Sequence, residues 1–210
     1  MKKENEFEPE NLLKHSSTAV FSLIPIIIGI LFIFYALSQF PGYSMITHYV
    51  SHLGIGPKPS AQFFNVGVII IGAASIHFFI YLGKLLKASG IDEIIRKITV
   101  KISIIGGLCL ALVGAFPMFD FLEIFHLIVA STFFFSGMLY FLLFSYLMIR
   151  NPNFSKYQSF PGFIVGLIFA GYVFTAHPIF EWGVVFSGFF WVVFNGVWLG
   201  IKNIRISLGM

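Results

Sequence analysis

Apolar residues run in six long stretches, at roughly Thr18–Phe40, Gln62–Leu86, Ile98–Phe116, Glu123–Ile149, Phe160–Ala176 and Trp182–Ile201, separated by short polar breaks. A helix rising 1.5 Å per residue needs about 20 residues to cross a hydrocarbon core of ~30 Å, and it satisfies its own backbone hydrogen bonds while doing so. The stretches have that length. A membrane barrel would instead need alternating segments of about ten residues, which the sequence lacks. The pattern therefore predicts an all-α polytopic membrane protein, a six-transmembrane-helix bundle forming one domain over residues 17–206. A charged tail, residues 1–16, precedes it and a short one, residues 207–210, follows.

Finer patterning adds local detail. From Tyr43 to Leu53 a spacing of 100° per residue puts Tyr43, Ile46, Tyr49, Val50 and Leu53 on one side and Ser44, His48, Ser51 and His52 on the other. That predicts a short amphipathic helix lying in the interface of the first outer loop. Pro25 inside the first stretch predicts a kink. Gly162, Gly166 and Ala170, and likewise Gly196 and Gly200, recur at four-residue spacing and predict close helix packing. Ala88–Arg96 reads as a link between helices, and Asn151-Pro152-Asn153 as a turn. The first stretch is too long for a signal peptide, and Glu4, Glu6, Glu8 and Glu10 precede it, so it reads as an uncleaved anchor.

Composition agrees with the pattern. Hydrophobic residues make up 58% and charged residues 10% of the 210, with 28 Phe and a mean hydropathy of +0.91. A soluble domain has about 45–50% and about 25%. A single cysteine, Cys109, excludes a disulfide scaffold, and its mid-membrane place makes it a packing residue. Basic residues set the orientation, because loops rich in Lys and Arg stay cytoplasmic. With both termini inside, twelve of the 13 basic residues lie on the cytoplasmic side and only Lys58 lies outside. The positive charge then reports orientation in a cell membrane and contact with membrane lipids, with no nucleic acid implied.

Histidines and acids collect on the other side: His48, His52, Asp120, Glu123, His126, His177 and Glu181. His48-x-x-x-His52 and Glu123-x-x-His126 each put two ligand-type groups on one helical face, while His177 and Glu181 flank the last outer turn. Imidazoles and carboxylates suit zinc or another divalent metal, which lowers the pKa of a bound water toward ~7. On that expectation His48, His52, His126 and His177 are candidate ligands, and Glu123, Asp120 and Glu181 are candidate ligands or general bases. The alternative is a set of hydrated interface residues meeting lipid headgroups. Deeper in the bilayer, His77 shares a level with Asn195 and Ser136, which predicts an interhelical hydrogen bond among them.

Several of these residues together resemble one family. Ser51-His52-Leu53-Gly54, then Pro59, Phe64-Asn65 and Gly67, are similar to the membrane family termed domain of unknown function 998. So are Gly114 with Phe116-Pro117, His126, and Glu181-Trp182-Gly183. The resemblance covers nearly the whole chain. It implies a six-helix bundle and a distant likeness to the Frag/Dram/Sfk membrane proteins associated with lipid handling. This chain departs from the family's pattern in carrying His52 where members usually have an acid, and Trp182 where they have an arginine. No settled activity comes with the family. Three readings stand: a protein engaging lipid headgroups or a partner through its outer face, a membrane-embedded metal-assisted hydrolase acting on an outer-leaflet lipid, and a small transporter or channel.

Overall fold

The computed structural model describes residues 17, 20–86 and 88–208, and its regular structure there is entirely helical. The expected tail of residues 1–16 lies outside the described residues. Among the described residues six α-helices have defined bounds: α1 (Leu23–Ser38), α2 (Lys58–Leu85), α3 (Gly90–Ala115), α4 (Glu123–Arg150), α5 (Lys156–Thr175) and α6 (Pro178–Ser207). Five of them, α2 to α6, are long and apolar enough to cross a membrane, and α1 is a shorter apolar helix of 16 residues. The chain is thus a polytopic helical membrane protein.

Helix boundaries extend beyond the apolar runs because local polar chemistry supports them. Ala88–Arg96, expected as a link, is mostly the start of α3: after Gly90, with φ +59°, Asp92 and Glu93 occupy the first turn, where the helix dipole favours acids. Glu93 pairs with Arg96 at 2.7 Å, and Asp92 reaches Arg150 of α4 at 2.6 Å. A capping box starts α5, with the Ser155 N–H donating to Gln158 Oε1 at 2.7 Å. Pro178 opens α6 at a position where no intrahelical N–H is needed. Pro25 lies in the first turn of α1, and the helix breaks at Ser22 just before it, in keeping with a proline that has no N–H to donate back to the preceding turn.

Each helix packs against its sequence neighbour, and α6 returns to touch α1, closing the bundle. Glycines let the backbones approach. A Cβ on Gly29 would lie 2.7 Å from the Gly67 carbonyl oxygen, and one on Gly72 would lie 2.5 Å from Ala111 N and 2.7 Å from the Gly107 oxygen. Gly162, Gly166 and Gly196 also sit against neighbouring helices, whereas a Cβ on Gly200 would find ordinary contact with Val20 at 3.5 Å. Inward-facing residues of α1 recur as Leu23, Ile26, Ile30 and Ile33, while Phe21, Ile24 and Leu31 face outward. Outward Phe, Ile and Leu on every helix suit lipid as the surrounding solvent.

The first outer loop differs from expectation. Residues 45–47 form a turn, and a six-residue 3-10 helix over Val50–Ile55 replaces the α-helix expected from Tyr43 to Leu53. The expected apolar side splits: Val50 and Leu53 are buried, but Ile46 is 66% exposed. Tertiary contacts made by Tyr43 and Val50 hold the chain in this shape against helical periodicity.

Candidate functional site

The first loop, the α5–α6 turn and the start of α6 are clasped at one end of the bundle. Trp182 Nε1–H donates to Tyr43 Oη at 3.0 Å, and the Tyr43 hydroxyl donates onward to the Tyr49 carbonyl at 2.8 Å. Tyr49 Oη–H in turn donates to the Ala176 carbonyl at 2.8 Å. Ala176 holds a left-handed conformation, φ 49°, that a non-glycine residue adopts at a cost of about 1–2 kcal/mol. Burial holds the Tyr43 phenol above its ordinary value; the bond from Trp182 opposes this and the charge of Glu181 adds to it.

Glu181 completes the clasp from inside. It lies in the first turn of α6, only 6% exposed, and its Oε2 accepts the Val50 N–H at 2.7 Å. His126, in the first turn of α4, is 2% exposed, with Nδ1 at 2.8 Å from the Phe116 carbonyl oxygen. A carbonyl only accepts, so Nδ1 carries the hydrogen, and in the neutral ring Nε2 is left as an acceptor.

Both side chains line a cavity of about 130 Å³ in the middle of the bundle. Ser51 joins them at the histidine-rich end. Nearly all the rest of the wall is apolar, including Ile30 and Ile33 of α1, Val68 of α2, Phe133 of α4 and Val185 and Phe189 of α6. Towards the basic end the cavity reaches Phe79 and Phe141, which sit 6.2 and 5.2 Å, centroid to centroid, from the buried Trp191 ring.

The other expected site residues take different places. His48 and His52 do meet, their ring centroids 5.9 Å apart, but His48 Nδ1 lies 3.0 Å from the Thr47 hydroxyl, and the His52 ring stands edge-on to Tyr49. Burial, with the nearby His48, lowers the His52 imidazole from its ordinary value of 6.5. His177 is exposed and serves the start of α6, its Nδ1 accepting the Ile179 N–H at 3.3 Å. Glu123 points outward while His126 points in, so their shared helix does not make them a pair. The Asp120 backbone forms part of a short 3-10 turn, Asp120–Leu122, and its side chain lies outside the described residues. Among the described residues no three His, Cys, Asp or Glu side chains gather to hold a metal ion. The metal-centred expectation, with zinc on His48, His52, His126 and His177, therefore finds no support. Helical spacing aligned the pairs, but each ring is engaged with its own local backbone or neighbour.

The deeper expectation is corrected too. His77 faces outward, with Nδ1 3.4 Å from the Ala73 carbonyl oxygen one turn earlier, and it meets neither Asn195 nor Ser136. Asn195 is fully buried and donates to the Trp191 carbonyl at 2.9 Å. Sequence reasoning missed Tyr43, Tyr49 and Trp182. The signal available was an aromatic residue beside some of the candidates, Tyr49 next to His48 and Trp182 next to Glu181, which is ordinary at a membrane interface and so carries little information.

Comparison with known proteins adds one match. Residues 23–198 match the family described as Protein of unknown function (DUF998). The chain belongs to DUF998. No curated protein and no solved structure matches it. The match covers α1 and all of the clasp, so the cavity of this DUF998 protein lies wholly within the family's extent. Trp182, at the position where the resemblance expects an arginine, is 1% exposed in this DUF998 chain and closes the loop through Tyr43.

Proposed function

We propose that this DUF998 protein is a six-span integral membrane protein that binds a lipid or similar amphiphile. The apolar part lies inside the bundle and the polar part meets Ser51, His126 and Glu181 at the outer end. Orientation is supported by charge: Lys84, Arg96, Arg150, Lys156 and Lys202 share one end of the bundle, and basic ends favour the cytoplasmic side. For the sixth crossing, α1 covers roughly 24 Å at 1.5 Å per residue, and the helical residues Val20 and Phe21 lengthen it beyond the break at Ser22. In this arrangement Val50–Ile55 lies across the outer end in place of the expected interfacial α-helix.

The observation that carries the reading is the cavity itself, apolar along its length and polar at one end, as sites for amphiphiles are. Gly188 offers a clean test. It lines the cavity, and a Cβ added there would have one neighbour, Phe141, at 3.8 Å. Gly188→Leu is therefore expected to fill the space without breaking helix packing. Lipid retained per mole of purified, detergent-washed protein, measured by mass spectrometry, should fall at least fivefold while the melting temperature is held. Unchanged retention in a folded variant would refute the reading.

A further inference from the structure

We infer that the head of the bound amphiphile is a cation, and that the cavity takes a single apolar chain bearing a protonated primary amine. The inference rests on the amphiphile-binding reading above and adds the chemistry of the head.

Three observations lead there. Glu181 is 94% buried by its 6% exposure, lines the cavity, and makes no ion pair among the described residues. A carboxylate offers about four acceptor positions, and the groups that reach it are backbone N–H donors alone, that of Val50 at 2.7 Å and that of Ser51. Burying such a group without a counter-charge costs several kcal/mol, so a cation brought by a ligand supplies what the protein leaves out. Secondly, among the described residues no lysine or arginine lines the cavity. Its titratable residues are Glu181, His126 and Tyr140, and Tyr140 lies 14 residues along α4 from His126, roughly 21 Å deeper. Thirdly, His126 spends its Nδ1 hydrogen on the Phe116 carbonyl, so its free nitrogen accepts too. The polar end of the cavity thus presents a carboxylate and an acceptor nitrogen beside one hydroxyl, that of Ser51, and no cationic donor. A phosphate or carboxylate head would meet like charge and lone pairs; an ammonium, with three donors and one positive charge, meets its complement.

The test compares three labelled probes of equal chain length, hexadecylamine, hexadecanol and hexadecanoic acid, for retention by the purified full chain in detergent at pH 7.5. Gly188→Leu gives the baseline for micelle partition. Hexadecylamine is expected to be retained at least tenfold better than the acid, with the alcohol between them. Glu181→Gln should bring the amine down to the level of the alcohol and leave the alcohol within twofold of its wild-type value. The acid held as well as the amine, or amine retention indifferent to Glu181→Gln, overturns the inference. Should Glu181→Gln fail to fold, the wild-type ranking of the three heads still decides. Retention of none of the probes above the Gly188→Leu baseline overturns the amphiphile reading itself, whereas equal retention of all three overturns only the charge.

Discussion

At the level of single residues, burial decides which of the polar groups has chemistry to offer. His126 and Glu181 lie within the bundle and border the cavity, while Glu123 and His177 face outward. His52 is intermediate, half covered by its own loop and beside His48. Its imidazole titrates below the ordinary 6.5 in the folded protein, because burial and the His48 charge disfavour protonation. The unfolded chain then binds the proton more readily, so stability rises with pH. The His52 contribution is fully present above 6.5 and is lost as pH falls through 6.5 towards the lower folded value. A melting temperature that drops from pH 7.5 to pH 5, and drops less in His52→Gln, is the expected result; identical profiles would contradict it. These residues were legible as candidates in the sequence, because acids and histidines are rare in an apolar chain. Their partners were not: the Val50 N–H that holds Glu181 is 131 residues away along the chain.

Among the elements, the helices followed from apolar length and the manner of their packing did not. Gly162, Gly166 and Gly196 were expected at contacts and are found there. Close backbone approaches such as Gly29 with Gly67 and Gly72 with Gly107 involve single glycines on different helices, and no spacing within one helix announces such a pair. The expected contact at Gly200 is loose by comparison. Gly72→Ala should therefore destabilise the protein by about 1–3 kcal/mol, since its Cβ would press on the backbone of α3, which cannot step aside as a side chain can. Gly200→Ala should be neutral or slightly stabilising, as alanine is the better helix former. Thermal unfolding of both variants in the same detergent checks the contrast, and equal shifts would count against the packing described. The expected loop helix failed for a related reason: periodicity marked Ile46 as inward, but the pull of Trp182 on Tyr43 and of Glu181 on Val50 fixes where the loop touches the bundle.

Across the whole molecule, the four hydrogen bonds of the clasp lie at one end and the paired charges Asp92–Arg150 and Glu93–Arg96 at the other. The proposed orientation makes the first end external. In a background with Cys109 replaced by serine, Lys58→Cys should react with a membrane-impermeant maleimide on intact cells, and Lys156→Cys only after permeabilisation. Both sites are exposed at opposite ends of the bundle, so the reverse pattern would invert the topology and reassign the cavity's polar end to the cytoplasm.

What the sequence alone determined is what water and lipid impose on any chain. Apolar runs long enough to span a bilayer must become helices, because unpaired backbone groups are too costly in hydrocarbon. Rare polar residues and the imbalance of Lys and Arg then mark the two ends. Hydropathy stops there, since Ile30 facing the cavity and Leu31 facing lipid are equally apolar. Only the tertiary structure decided which faces turn inward, that His126 and Glu181 border one cavity while His77 turns away, and that the histidines are engaged locally. Those outcomes depend on contacts between segments far apart in the chain, whose geometry is set by where glycines let helices meet and where a buried carboxylate finds a backbone N–H.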